Sequence, residues 1–196
     1  MLAQDRVLFG NYTFRVLENA EFFPLFHQYR PRLFQTMLEF DVRQAMSLEE
    51  QTATARLRER MGTLFRLNIG LYHHQEFIGW SFGWQESAEK YYMVSTGILP
   101  QHQGKGIYSA LLPRILETLQ REGFQIVTSQ HVATNNQILV PKLKAGFVIT
   151  GMEVSDVFGV LVDLSYFFNP LRRKVLAVRV GQARPDADVK RCLSLE

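Results

Sequence analysis

A short glycine-rich loop between a predicted strand and a predicted helix carries the clearest chemical signal in the sequence. It runs from Pro100 to Gly106 as PQHQGKG, with Lys105 between two glycines. The first N–H groups of the following helix have no partner within the helix, and the helix dipole adds partial positive charge there. Gly104 and Gly106 would let the backbone come close to a bulky anion, so the loop is suited to hold a phosphate or pyrophosphate.

The spacing of the loop excludes two common phosphate-binding motifs. In a P-loop the lysine precedes a Ser or Thr that binds Mg²⁺, whereas Lys105 precedes Gly106. A dinucleotide fingerprint would place a third glycine at the position of Ser109, and the chain before the loop does not begin with a βα unit. Taken alone, such a loop is more often a turn that binds no ligand.

The residues around this loop form a longer pattern, GILPQHQGKGI, from Gly97 to Ile107. The pattern resembles the fourth strand, loop and following helix of the GNAT superfamily of N-acetyltransferases, including that family's Gln/Arg-x-x-Gly-x-Gly/Ala pyrophosphate motif. Two alignments of the motif are possible. A literal match to the pattern starts at Gln101, whereas an alignment on the preceding proline and the following apolar helix starts at Gln103. We prefer this second alignment because it keeps the usual spacing, although Tyr108 then replaces a small residue.

A second stretch that resembles the family lies downstream. Asn135, followed by Lys-Ala-Gly-Phe at residues 144–147, is similar to the family's Asn…Lys-x-Gly-Phe segment, which closes the coenzyme groove. The resemblance is close over residues 65–168 and looser before them. It implies an α/β fold (α+β) in which helices flank a central mixed, mostly antiparallel twisted sheet with splayed fourth and fifth strands.

The resemblance also implies a coenzyme. Acetyl-CoA would serve as the acyl-donor cosubstrate, with its pantetheine arm paired to the backbone of the fourth strand, and no metal would be required. The positions implied to bind the coenzyme are Gly97, Ile98, Leu99, Gln103, Gly104, Lys105, Gly106, Ile107, Tyr108 and Asn135.

Direct transfer in this family needs an acid for the departing thiolate. The family's common acid is a tyrosine seven residues after the asparagine, and counting from Asn135 gives Lys142. An ammonium there could stabilise a thiolate, although a solvated surface lysine is the more ordinary interpretation. Tyr166 on the last predicted strand and Tyr108 at the helix start are alternative phenols, each more often a packing residue than an acid.

A base for the incoming ammonium is the second requirement. His131 is our first candidate because it falls at the end of the predicted fifth strand and its ordinary pKa, near 6.5, suits proton removal at neutral pH. The alternative is a histidine that hydrogen-bonds the loop and positions Asn135 or Asn136. The family's acidic residue on the fourth strand has no counterpart, which leaves Glu86 and Glu89 as candidates that would act through water.

The elements that must position these residues follow from hydrophobic periodicity. A short β-like run lies within residues 7–18 and is followed by a helical zone over about residues 21–62. Apolar residues then alternate from 65 to 84, which predicts two strands. From there to residue 168 strands and helices alternate, which favours one mixed α/β layer structure with at least one parallel strand pair. We assign residues 1–170 to an acyl-CoA-binding catalytic domain.

Residues 171–196 form a C-terminal extension in this interpretation. Leu176, Val178 and Val180 alternate with Ala177 and Arg179. The alternation predicts an added edge strand, paired within its own subunit or across a homodimer, with a solvated tail after it.

Composition narrows the possible partners. The net charge is +3, but the extension holds seven bases against three acids, so the rest of the chain is close to neutral and lacks the basic stripe of a nucleic-acid binder. The sequence contains no run of about 18 apolar residues, so no membrane span is predicted. Cys192 is the single cysteine, which fits a cytoplasmic location. The sequence contains neither a cysteine pair nor a His-x-x-x-His spacing, so no metal site is predicted.

The leading hypothesis is therefore an N-acetyltransferase that moves acetyl from acetyl-CoA to a primary amine, carried by a small molecule or a peptide, by direct attack. The alternative is a non-catalytic acyl-CoA-binding sensor or scaffold with the same fold. A longer acyl donor is a third possibility, since an aromatic-rich segment could line an acyl tunnel, although core packing is its more ordinary role. The aromatic residues of that segment are Phe22, Phe23, Phe26, Phe34 and Phe40.

Overall fold

The computed structural model describes residues 5–34 and 42–194 of the chain. The strands of these residues are β1 (Arg6–Phe9), β2 (Tyr12–Val16), β3 (Arg66–His73), β4 (Glu76–Gln85), β5 (Lys90–Ile98), β6 (Ile126–Val132), β7 (Val148–Ser155) and β8 (Gly159–Phe167). They form one sheet in the spatial order β1-β2-β3-β4-β5-β6-β8-β7. Neighbouring strands are antiparallel except β5 and β6, which are parallel. The predicted mixed, mostly antiparallel sheet is confirmed.

Helices pack on both faces of this sheet. The α-helices of the described residues are α1 (Asn19–Leu33), α2 (Val42–Ala45), α3 (Leu48–Arg60), α4 (Ile107–Arg121), α5 (Asn136–Lys144), α6 (Pro170–Arg179) and α7 (Ala187–Cys192). Phe22 of α1 packs with Trp80 and Phe82 on one face, and Leu111 and Leu119 of α4 are fully buried on the other. Of the helices in the described ranges, none is both long and apolar enough to span a bilayer.

The pairing between β5 and β6 is short, and this shortness creates an opening in the sheet. Backbone partners run only from Lys90 with Ile126 to Tyr92 with Thr128. Beyond that point β5 continues to Ile98 along β4, while β6 continues along β8. The two strands therefore separate, as predicted for the fourth and fifth strands. They carry the numbers five and six here because the β-like run at residues 7–18 forms two strands.

The predicted edge strand in the C-terminal extension is wrong, because that segment is the helix α6. Asn169 caps it: its Oδ1 accepts hydrogen bonds from the backbone N–H groups of Leu171 (2.8 Å) and Arg172 (3.2 Å), and Pro170 suits the first helical position. The partly buried residues of α6 include Leu171, Val175 and Val178, a spacing of four and three that marks one helix face. The alternation from 176 to 180 also matched a strand, but the cap and the proline favour the helix.

Candidate active site

The glycine-rich loop ends at the N-terminus of α4, where Gly106 is the capping residue. Gly104 (φ +73°) and Gly106 (φ +80°) both have left-handed backbone conformations, which side-chain-bearing residues rarely adopt. The first intrahelical bond of α4 runs from the Ala110 N–H to the Gly106 carbonyl (3.0 Å). The N–H groups of the three residues between them therefore have no helical acceptor. The loop has the geometry expected for an anion site.

The end of β5 is tied to this loop. Gln103 donates a hydrogen bond from Nε2 to the carbonyl oxygen of Ile98 (2.7 Å), and the N–H of Leu99 bonds to the Ile78 carbonyl on β4 (2.8 Å). Gly97 permits close packing at this point, because a Cβ there would lie 2.6 Å from the Trp80 ring. The edge of β5 that faces β6 is left without a strand partner after Tyr92.

Two cavities meet at the opening between the strands. The first, of about 500 Å³, is lined by the loop and the start of α4; we call it the loop cavity. The second, of about 320 Å³, lies between α1, the separated strands and α5; we call it the inner cavity. Both are lined by Phe34, Thr96, Tyr108, Asn135 and Ile138. Most of the residues expected to bind a coenzyme line the loop cavity: Gly97, Ile98, Gln103, Gly104, Gly106, Ile107, Tyr108 and Asn135.

Lys142 lies inside the protein, so its interpretation as a solvated surface residue is wrong. Only 1% of its surface is exposed, and it lines the inner cavity. Its Nζ donates a hydrogen bond to Ser129 Oγ (2.6 Å) and lies 4.9 Å from the centre of the Phe147 ring. Within the described part of the chain, no Asp or Glu forms an ion pair with it. Burial lowers the pKa of Lys142 to about 7.

His131 also lines the inner cavity and is linked to Lys142 through one hydroxyl group. Its Nε2 lies 3.1 Å from Ser129 Oγ, so Ser129 joins the two side chains. Burial, and then the nearby charge of Lys142, lower the pKa of His131 to about 3. An imidazole with that pKa is neutral at pH 7 and accepts a proton poorly. The group that titrates near neutral pH in this cavity is Lys142.

Tyr108 supplies a buried hydroxyl group at the junction of the two cavities. It is 7% exposed, and within the described residues its hydroxyl has no hydrogen-bond partner. A buried polar atom without a partner is costly, and such atoms occur at sites that a ligand completes. Burial raises the pKa of Tyr108, so the phenol stays protonated and can donate a hydrogen bond.

Comparison with known families shows to which family this chain belongs. A family model described as the acetyltransferase (GNAT) family matches residues 18–147, more than half of the chain, and this range contains the loop, the separated strands and Lys142. The chain belongs to the GNAT acetyltransferase family. The resemblance of the two motifs to that family is thereby confirmed. Among curated protein sequences, none matches this GNAT chain.

Solved structures show the same fold. A putative acetyltransferase, yncA, from Salmonella typhimurium with its cofactor acetyl-CoA is 17% identical, with a TM-score of 0.59 over 91% of this chain and 99% of that one. The ribosomal-protein-S18-alanine N-acetyltransferase from Escherichia coli is 17% identical, with a TM-score of 0.56 over 81% and 94% of the two chains. A spermidine N-acetyltransferase chimera from Vibrio cholerae and hSSAT is 16% identical, with a TM-score of 0.57 over 81% and 96%.

Several predicted site residues of this GNAT protein lie away from the two cavities. Tyr166 packs its ring against Phe147 and Phe168, with ring centres 5.3 and 5.2 Å apart, and belongs to the core. Glu89 forms an ion pair with Arg172 (2.9 Å), and Glu86 accepts a hydrogen bond from Thr128 (3.1 Å). Two residues expected at the coenzyme site do not line the loop cavity: Leu99, which is buried, and Lys105, which is exposed.

Sequence reasoning missed two polar residues of the site. Ser129 lies two positions before His131 on β6, and alternate residues of a strand share a face, so its position beside His131 could have been predicted. His102 lines the loop cavity and contacts the Tyr12 hydroxyl through Nδ1 (3.3 Å). Its place depends on β2, which is far away in sequence, and no local pattern indicates it. Within the described residues, no cluster of His, Cys, Asp or Glu side chains could hold a metal ion.

Proposed function

We propose that the protein is an N-acetyltransferase that moves acetyl from acetyl-CoA to a primary amine by direct attack. One observation carries the proposal: the opening between β5 and β6 joins an anion-binding loop to a buried cavity that holds Lys142. Acetyl-CoA, when bound, supplies a diphosphate group, an extended pantetheine arm and a thioester. Each of these features has a suitable group in the structure.

The residues of the loop cavity fit such a coenzyme. The unpaired N–H groups at the start of α4 would hold the pyrophosphate, and the exposed Lys105 would add positive charge. The free edge of β5 near Ile98 would pair with the pantetheine arm as an added strand does. Asn135, at the start of α5, would close the groove from the other side.

Lys142 is our candidate for the acid. At pH 7 a large fraction of molecules carries a proton on Nζ, and a buried ammonium without an ion-pair partner stabilises negative charge strongly. His131 would hold Ser129 in place through Nε2, and Ser129 would hold Lys142. We assign the acceptor's proton to solvent, since a fraction of most amines is already neutral.

Binding of the coenzyme is tested by changing the glycine that precedes α4. Gly106→Glu places bulk and negative charge at the expected pyrophosphate site and should weaken acetyl-CoA binding at least tenfold, about 1.4 kcal/mol, in a calorimetric titration. Gly106→Ala is the matched control, because it shares the strain of a left-handed backbone but adds no charge. Equal affinity of the Glu and Ala variants would argue against the pyrophosphate site.

Turnover is a separate measurement. Release of CoA in the presence of a panel of primary amines would support the transferase. Tight binding without release for any amine would support the sensor or scaffold hypothesis instead.

A further inference from the structure

The inner cavity is the place where an acceptor would meet the thioester, and its walls indicate what kind of acceptor fits. We infer that it selects a primary amine carried on an aromatic or bulky apolar group, rather than a polyamine or a small hydrophilic amine. This inference rests on the proposed function. It is carried by the composition, rigidity and charge of the cavity walls.

Six Phe and Tyr side chains among the described residues line the inner cavity, and they come from separate parts of the fold. They are Phe26, Phe34, Phe82, Tyr92, Tyr108 and Phe158. Phe26 and Phe34 belong to the aromatic-rich segment for which the sequence allows an acyl tunnel. Of the other residues of that segment, Phe22 is fully buried in the core and Phe40 lies outside the described residues. Aromatic walls favour ligands with apolar bodies, because such ligands bury their surface without leaving polar groups unpaired.

The inner wall is rigid. The Phe26 ring meets Trp80 and Phe82 edge-on, with ring centres 5.2 Å apart in both pairs. Trp80 is itself fixed by a hydrogen bond from Nε1 to Ser95 Oγ (3.1 Å). A wall that is already ordered costs little to organise when a ligand binds.

Phe158 stands at the mouth of the cavity, in the turn between β7 and β8. It is 48% exposed and makes no ring contact with any other described residue. The turn is held by Ser155, whose Oγ accepts hydrogen bonds from the N–H groups of Val157 (3.1 Å) and Phe158 (3.3 Å). The chain thus presents a large apolar ring at the cavity entrance on a defined turn, where a bound apolar group would cover it.

Few polar groups of the inner cavity are left to hold a second ammonium. Tyr92 donates its hydroxyl proton to Gln130 (3.2 Å), and Gln130 donates to Glu153 (2.5 Å), so these side chains satisfy one another. The Tyr108 hydroxyl, which has no partner among the described residues, can make one hydrogen bond at the reacting end of the cavity. Lys142 lines the cavity and forms no ion pair with an Asp or Glu of the described residues. A polyamine would bring a second positive charge toward Lys142, whereas an amine with an apolar body would not.

Acceptor preference is tested by acetyl transfer to phenethylamine, ethylamine and spermidine. Transfer forms the amide N–C bond and breaks the thioester C–S bond. CoA leaves as a thiolate that takes a proton from Lys142, and the proton lost by the amine goes to solvent, from which Lys142 is reprotonated. We expect kcat/KM for phenethylamine to exceed that for ethylamine and for spermidine at least tenfold. Comparable or better use of ethylamine or spermidine would overturn the inference. So would a preference for octanoyl-CoA over acetyl-CoA, because the acyl chain would then fill the cavity.

Phe158→Ala tests the mouth of the cavity. It should lower kcat/KM for phenethylamine about five- to tenfold, mainly through KM, and lower kcat/KM for ethylamine less than twofold, with acetyl-CoA affinity unchanged. Met152→Ala is the matched control, since Met152 is 70% exposed on β7 and does not line the cavity. Equal effects of the two variants would contradict the assignment.

A binding measurement separates this inference from the proposed function. Phenethylamine is titrated calorimetrically into the protein saturated with CoA, which requires no turnover. Binding that weakens at least fivefold in Phe158→Ala would support an aromatic-amine site even in a protein that transfers no acetyl group, in which case the proposed function alone fails. Binding no tighter than that of ethylamine would overturn the inference.

Discussion

Lys142 places an amine in the protein interior, at a position where an apolar side chain would give a more stable protein. Its folded-state pKa is about 7 and its ordinary value is 10.5, so between these pH values the unfolded chain binds more protons than the folded one. The free energy of unfolding therefore rises with pH across this window, by at most about 1.4 kcal/mol per pH unit from this group. A residue that costs stability and lines the inner cavity is a candidate for function.

We predict that Lys142→Met changes stability and activity in opposite directions. At pH 7 the variant should be more stable than the native protein by about 2 kcal/mol in urea unfolding, because no ammonium is buried, and this difference should shrink toward pH 10. Its kcat/KM should fall about 10²-fold, and any decline of the native activity above pH 7 should disappear.

Lys190→Met serves as the control, since Lys190 is exposed on α7 and lines neither cavity, and the change should alter neither quantity. A Lys142→Met protein that is less stable than the native chain at pH 7 and equally active would show that the buried ammonium is structural.

At the scale of elements, the loop before α4 and the extension after β8 differ in how well sequence predicts them. The backbone freedom expected of Gly104 and Gly106 is observed, because a left-handed backbone restricts the choice of residue and that restriction is visible in the sequence. The helix of the extension was not predicted, because Leu176 and Val178 fit a strand, while Leu171, Val175 and Val178 fit a helix equally well. The deciding feature is the Asn169-Pro170 start signal, which fits the end of a strand as well as the start of a helix.

This start signal leads to a prediction for α6. Asn169→Ala removes the oxygen that accepts the N–H groups of Leu171 and Arg172, and should destabilise the helix by about 1 kcal/mol. Amide exchange over residues 174–180 should be slow in the native protein and about fivefold faster in the variant. Asn169→Asp keeps an accepting oxygen and should behave as the native chain does. Fast exchange in the native protein would contradict the helix itself.

At the scale of the whole molecule, the fold class and the glycine-rich loop before a helix followed from sequence, whereas the interior of the candidate site did not. Local motifs indicate a strand, a loop and a helix start, but the depth of Lys142 depends on how α5 packs against β6, and the contact of Lys142 with Ser129 joins residues 13 positions apart. The inner cavity gathers residues from α1, the separated strands and the turn at Phe158, which only the complete sheet brings together.

The same sheet leads to a prediction about ligand-linked stability. Its two parts, β1–β5 and β6–β8, share a backbone pairing of only three residues, and acetyl-CoA in the opening would contact both. At a coenzyme concentration 100 times Kd, mass action should raise the free energy of unfolding by about 2.7 kcal/mol. At the same concentration the rise for Gly106→Glu should be about 1.4 kcal/mol or less, because its Kd is at least tenfold higher. Urea unfolding with and without acetyl-CoA measures both values.

Amide exchange should slow on both sides of the opening, at residues 93–98 and 129–132. Slower exchange on one side alone would show that the coenzyme does not bridge the two parts of the sheet.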